Sequence, residues 1–281
     1  MSWFKRQAPN APSPIGRLIA LGVGFFFLYV PIVTLIVFSF NSSPIMTSWS
    51  GFSLRWYESL FRDQALLNAA WLSFQVAVMT ATAASILGTW AAYVLARKGS
   101  FRGFSLFVGL ISAPLVIPEV VLGISLLLLF VELDSMFGWP GGRGMFTIWV
   151  GHTTFCMAFV TVVVQSRIRD LDVSLEEAAL DLGATPIKVF FTVTLPMIAP
   201  AVIAAWLLAF TLSLDDVVIA SFLSGPGATL LSPEIFARVR LGLRPEVNAL
   251  ATIFVVVVAF VVVGLNALQR RQLRRQRALQ Q

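Results

Sequence analysis

Charge is scarce in these 281 residues: Asp, Glu, Lys and Arg together make up 12% of the chain, against roughly 25% in an ordinary soluble domain. So little charge cannot dress a surface facing water. With 58% hydrophobic residues and a mean hydropathy of +0.85, the chain reads as an integral membrane protein. A single cysteine, Cys156, excludes an intrachain disulfide and a Cys-based metal cluster. A single histidine, His152, comes without an H-E-x-x-H pair or a Ser-His-Asp arrangement, so no metal site and no catalytic residue is assigned. No G-x-x-x-x-G-K-[ST] phosphate loop occurs, and Gly225-Pro-Gly-Ala-Thr229 lacks the lysine one would need. The chain is therefore not read as an enzyme. A net charge of +6 and a pI near 10.2 could suit nucleic acid. The basic residues sit between apolar runs and at the ends, however, so membrane lipid accounts for them and a nucleic-acid partner does not.

Long apolar runs fill most of the rest. A run of about 20 residues crosses the hydrocarbon core as a helix, and six can be placed, at roughly 18–40, 69–95, 104–131, 145–166, 198–222 and 249–268. The first is too long for a secretory h-region and no small-residue cleavage site follows it, so an uncleaved span is expected. With the N-terminus in the cytoplasm, 14 Lys and Arg residues fall inside and 6 outside, in keeping with the positive-inside bias. Both termini are then cytoplasmic. The organisation expected is a cytoplasmic segment 1–17, one six-helix membrane domain 18–268, and a basic tail 269–281 that touches anionic headgroups. Segments 41–68, 132–144 and 223–248 face out. Trp49 and Trp56 lie in the first of these, either as interfacial anchors or as cation-binding aromatics at a pathway mouth.

The six runs contain Glu119, Asp215 and Asp216 but no Lys or Arg. Each such acid at the bilayer centre costs about 2.5–3.5 kcal/mol on insertion scales, so all three are expected to face a cavity or a protein interface. They stay protonated, meet a base on a partner subunit, or are balanced by a cation passing through. His152 is expected to be a packed or headgroup-facing residue, so neutralisation within the chain is not expected. On one continuous helix Asp215 and Asp216 project about 100° apart, and one of them then serves as an interface or capping residue. Pro114 and Pro118 bracket Ala113-Pro-Leu-Val-Ile-Pro-Glu119, which kinks or interrupts the third run; the break either lines a cavity or is a simple structural kink. Ala84, Gly88 and Ala92, four residues apart, make a small-residue face for close helix packing.

The inner segment 167–197, 31 residues long, is too long to be an idle loop. Ser174 and Glu177 have the spacing of a capping box and Gly183 that of a C′ residue, which together frame a helix of about two turns. Thr185 then caps a second short helix with Pro186 at its first position, and Pro196 is expected to end it. The pair has the shape of an element that docks into a groove on another protein.

Glu177-Ala178-Ala179, three residues, Gly183, nine residues, then Val193-x-Leu195-Pro196 resembles the EAA signature of permease subunits in binding-protein-dependent ABC importers. The one departure is Val193, where the family pattern has Ile. The resemblance runs over nearly the whole chain and is greatest for polyamine permeases, putrescine ahead of spermidine, through Phe38-Ser-Phe-Asn-Ser-Ser43, Arg55-Trp-Tyr57, the stretch ending at Glu119, Leu175–Pro186 and Phe210–Phe222. It implies an all-α type I importer fold with six transmembrane helices, set in the bacterial inner membrane. It further implies a second homologous permease, a cytoplasmic ATPase dimer holding ATP and Mg, and a periplasmic polyamine-binding protein, with no cofactor in this chain. Glu177, Ala178, Ala179, Gly183, Leu195 and Pro196 would couple to the ATPase; Glu119, Asp215 and Asp216 would guide amines. The alternatives are a permease for spermidine or another small cationic solute, a proton-coupled secondary transporter, and a non-transporting scaffold.

Overall fold

The computed structural model describes residues 14–45, 48–241 and 245–256. Residues 1–13 of the segment 1–17 expected to be cytoplasmic, residues 257–268 of the sixth run and the basic tail 269–281 lie outside these. Among the described residues every regular element is a helix; the only bridge pairs Asn41 with Phe52. Among the described residues five helices are long and apolar enough to cross a membrane, and two shorter apolar ones accompany them. The chain divides into two compact units, residues 1–63 with 238–281, and residues 64–237.

The first unit contains α1 (Pro14–Ser39), α2 (Arg55–Arg62) and α12 (Pro245–Val256). α1 is apolar around its whole circumference, with Phe27 79% exposed; such a helix is stable only against lipid or another protein. Past its end the chain is organised by Asn41. Its Nδ2 donates to the Ser48 carbonyl at 2.7 Å, while its Oδ1 accepts from the Ser43 and Ser50 amides at 3.2 and 3.0 Å. Arg238, at the far end of the chain, closes on Asp63 as an ion pair, and Ser59 donates to Glu246 at 2.9 Å.

The second unit is built on α3 (Gln64–Arg97), α6 (Met145–Arg169) and α9 (Leu195–Asp215), which pack on one another. Their shared core includes Val76, Ala84, Ile148, Val160, Ile198 and Ala205. Ala84, Gly88 and Ala92 are all buried. A Cβ on Gly88 would lie 2.7 Å from Val160 Cγ1, so the small-residue face is what lets α6 approach α3. α4 (Phe104–Val116) packs on α6, and α5 (Glu119–Phe137) packs on α10 (Val218–Leu223). The remaining helices are α7 (Ser174–Asp181), α8 (Pro186–Val189) and α11 (Leu231–Leu241).

The expected interruption of the third run is there, as two helices that meet at Pro118, which offers no N–H, with Ile117 extended. Other sequence expectations change. α5 continues to Phe137, through residues expected in an outer loop, and stops at Gly138. The fifth run ends as a helix at Asp215; Asp216 is extended, so the adjacent acids do not share a helix. Pro196 does not end a helix. From Pro186 to Asp215 the chain is one helical rod, in which Phe190–Thr194 adopts π-helical turns and the Leu195 amide bonds the Phe190 carbonyl. That wider turn shifts the hydrogen-bond ladder just before the proline that lacks a donor. The 31-residue inner loop thereby shrinks to the stretch between Arg169 and Pro186.

Candidate functional site

The two helix breaks carry the three acids. Pro118 is the N-cap of α5, which makes Glu119 its first residue; Asp215 closes α9. The breaks come together because α5 packs on α10: a Cβ on Gly123 would stand 2.7 Å from Phe222 Cδ2. Glu119 thus lies within electrostatic reach of both Asp216 and Asp215. Glu119 and Asp215 are exposed on the chain, and Asp216 is buried.

Asp216 is also fully engaged. Its Oδ1 and Oδ2 accept the Ile219 and Ala220 amides at 3.3 and 2.7 Å, capping α10. Across the unit, His152 Nε2 meets Asp216 Oδ2 at 3.0 Å while His152 Nδ1 meets Ser213 Oγ at 2.8 Å. With the neutral ring, Nε2–H donates to the carboxylate and Nδ1 accepts from the serine; the protonated ring donates at both nitrogens. Either way the imidazole, 1% exposed, clamps the segment where α9 gives way to α10. This overturns the expectation that the intramembrane acids find no base within the chain. Ser213 and Asp216, three residues apart, and a lone histidine were visible in the sequence, but nothing local joined them.

The second constellation lies around α7. The helix ends in a Schellman motif: the Gly183 amide bonds the Leu180 carbonyl at 2.8 Å, and the Ala184 amide bonds the Ala179 carbonyl at 3.1 Å. Gly183 takes φ +85°, open to glycine at no steric cost. Glu177, Ala178 and Gly183 are exposed, as is Pro196; Ala179 and Leu195 are half-buried. Leu182 at the turn is 90% exposed. The capping box is absent, because the N-cap is Val173. Instead, Asp172 Oδ1 accepts the Ser174 amide at 3.0 Å, and hydrogen bonds from Ser174 hold the Asp172 carboxyl below its ordinary range. The glutamate that matters internally is Glu176, which the motif did not single out: Arg97 Nε donates to its Oε2 at 2.9 Å and Thr194 Oγ1 to its Oε1 at 2.8 Å.

Of the two tryptophans, Trp56 donates its indole N–H to the Asn41 carbonyl at 2.6 Å and lies beneath the Arg55 guanidinium, 4.1 Å from the ring centroid. Trp49 is 51% exposed and meets Phe38 edge-on. The stretches Phe38–Ser43 and Arg55–Tyr57 thus form one local structure, closed by the 2.7 Å bond between Ser39 and Tyr57 hydroxyls.

Residues 84–278, more than half of the chain, match the family described as binding-protein-dependent transport system inner membrane component. The chain belongs to that family. This permease is 59% identical over 245 residues to the putrescine transport system permease protein PotI of Escherichia coli (strain K12), covering 87% of each chain. It is 41% identical over 259 residues to the spermidine/putrescine transport system permease protein PotC of the same strain, covering 91% of this chain and 96% of that one. Among solved structures, its fold matches a bacterial ABC transporter involved in import of the acidic polysaccharide alginate, with TM-score 0.69 at 18% identity over 91% of this chain and 95% of that one. It also matches the MetNI methionine ABC transporter, with TM-score 0.57 at 17% identity over 70% of this chain and 90% of that one. The permease is an all-α inner-membrane component of ABC-importer type, as the motif around Glu177 implied. Family membership leaves the proton-coupled and scaffold alternatives without support.

Proposed function

We propose that this permease forms one half of the path by which an ATP-driven importer moves putrescine from periplasm to cytoplasm. The observation that carries this reading is the 59% identity to a putrescine permease over 87% of both chains. The chemistry of the helix breaks agrees with it. A diamine is a rod with a cation at each end, and Glu119 and Asp215 offer two exposed carboxylates at neighbouring breaks. Asp216, tied to His152 and the amides of α10, positions Asp215 instead of meeting amine itself. Trp49 and Trp56 are assigned to the mouth of the path, with the face of Trp56 passing from Arg55 to an incoming ammonium.

In this reading residues 18–268 form the permease domain, between a cytoplasmic segment 1–17 and a basic tail 269–281 that rests on membrane lipid, with the coupling segment inside 167–197. A second homologous permease completes the path, a periplasmic polyamine-binding protein delivers the substrate, and a cytoplasmic ATPase dimer supplies ATP and Mg. Glu177 pairs with a base on the ATPase, Ala178 and Ala179 admit its surface, and Gly183 makes the turn. Leu195 and Pro196 seat the rod behind it. The second reading, spermidine, is favoured by the 41% identity to PotC over 96% of that relative. Uptake of labelled putrescine into vesicles holding the whole complex, with spermidine as competitor, decides between them. Putrescine uptake that spermidine fails to displace is the expected result; uptake of spermidine in preference overturns it.

A further inference from the structure

α7 is two turns long, and its one buried side chain is Glu176. Everything else the helix presents is exposed or half-buried. α7 also packs on α8 and on the π-helical stretch, but the one side chain it buries in the body of the permease is this carboxylate. Both oxygens of that carboxylate are in use. Oε2 accepts from Arg97 on the last turn of α3, and Oε1 accepts from Thr194, the last residue of the π-helical stretch at the root of α9. Arg97 has no second anion: its Nη2 is buried without a partner among the described residues. Around the carboxylate the contact is stiffened by aromatic rings, with Trp90 stacked on Phe190 at 4.6 Å and Tyr93 edge-on to Phe190 at 5.0 Å.

We infer that the Arg97–Glu176–Thr194 triad is the strut through which movement of α7 reaches the membrane-spanning helices, with Glu176 and Arg97 as positioning residues for transport. A charge-assisted, two-ended hydrogen bond has fixed length and direction, whereas an apolar contact would let α7 slide. The ends of the strut are well chosen. Arg97 terminates α3, whose small-residue face is locked to α6. Thr194 sits where a π-helical turn interrupts an otherwise continuous rod, and such interruptions are places where helices bend. Beyond it α9 runs 21 residues to Asp215, so a tilt imposed at Thr194 is delivered about 30 Å away at the acid-bearing break. Glu177 and Glu176 thereby divide the work: one faces outward from α7 and the other grips the permease.

This inference rests on the reading that α7 docks the ATPase, and the test separates the two. Wild-type, Glu176→Gln, Thr194→Val and Leu182→Glu permeases are each assembled with the second permease, ATPase and binding protein in vesicles. ATPase retention, ATP hydrolysis and putrescine uptake are then measured, with spermidine as the probe if the wild type prefers it. The Glu176→Gln complex is expected to retain its ATPase but to move about tenfold less amine per ATP hydrolysed, the scale of an ordinary coupling energy. Thr194→Val should lose about fivefold, at the lower end of the same range. A role confined to folding would lower the amount of complex and leave that ratio unmoved. Exchanging the charges, Arg97→Glu with Glu176→Arg, should recover at least half of the ratio; if the exchanged pair fails to assemble, Glu176→Gln and Thr194→Val decide the outcome. An unchanged ratio in both, with Leu182→Glu releasing the ATPase, overturns the strut alone. Retention of the ATPase by Leu182→Glu overturns the docking reading and the strut with it.

Discussion

His152 shows how much a single buried side chain can decide in a membrane protein. It is the one histidine of the chain, and it holds both Ser213 and Asp216 across the point where α9 stops. Removing it takes one donor from a buried carboxylate that keeps the two amides of α10, and a hydrogen bond to a charged group is worth about 1.5–3 kcal/mol. His152→Ala is therefore expected to lower the thermal unfolding midpoint of the purified permease markedly. His152→Gln, which can still donate to Asp216, should lose about half as much; equal stability of the alanine variant and the wild type would refute the clamp. The neighbouring acids should divide by function. Asp215→Asn and Glu119→Gln are expected to reduce uptake about tenfold, the effect of about 1.4 kcal/mol, while leaving assembly intact. Asp216→Asn should reduce the amount of folded permease first, because its oxygens cap α10. Uptake kinetics unchanged in the first two would end the case for an acidic amine path.

At the scale of elements, the contact of α3 with α6 depends on the absence of a side chain at Gly88. A methyl there would lie 2.7 Å from Val160 Cγ1 and 3.1 Å from the Met157 carbonyl, so Gly88→Ala must push the helices apart or force Val160 off its rotamer. A destabilisation of about 1–3 kcal/mol is expected, visible as a lower unfolding midpoint, and Val160→Ala in the same chain should return part of it. The start of α7 gives a pH signature. Asp172 is exposed, and its bonds from Ser174 depress its carboxyl below the ordinary range. A group depressed on folding stabilises above its unfolded pKa and loses that contribution as pH falls through the folded one. Amide exchange at Ser174 to Glu177, corrected for intrinsic rates, should therefore quicken as pH falls from the usual carboxylate range through the depressed pKa, and Asp172→Asn should abolish the pH dependence. The two-turn length of α7 and its glycine stop are legible in the sequence, because Gly183 acts through local backbone geometry. Its N-terminus is not: Ser174 with Glu177 fits a capping box by spacing, but the chain enters the helix through Val173, and Asp172 takes the Ser174 amide that Glu177 was expected to serve.

At the scale of the whole molecule, the described surface is largely apolar. α1 offers lipid or a partner an apolar circumference, and Glu119, Asp215 and most of α7 are exposed. In vesicles the permease alone is expected to conduct no putrescine under a pH gradient; flux should appear only when the second permease, the ATPase and the binding protein are all present. Flux through the lone chain would overturn the assignment of an ATP-driven path. Membrane insertion, the positions of most spans, the break at Pro118 and the importer family were all determined by the sequence itself. Hydropathy, a missing proline N–H and a glycine turn act over a few residues and are written where they act. What fills the space between helices was decided only in the tertiary structure. His152 finds Asp216 across 64 residues and Arg97 finds Glu176 across 79. Neither pairing has a local signature, because each follows from elements distant in the chain being brought together, α6 on α9 and α10 in the first case and α7 on the last turn of α3 in the second. The rod from Pro186 to Asp215 belongs with these: proline alone argues for a stop at Pro196, and only the π-helical turn before it, packed against Trp90 and Tyr93, lets the helix continue.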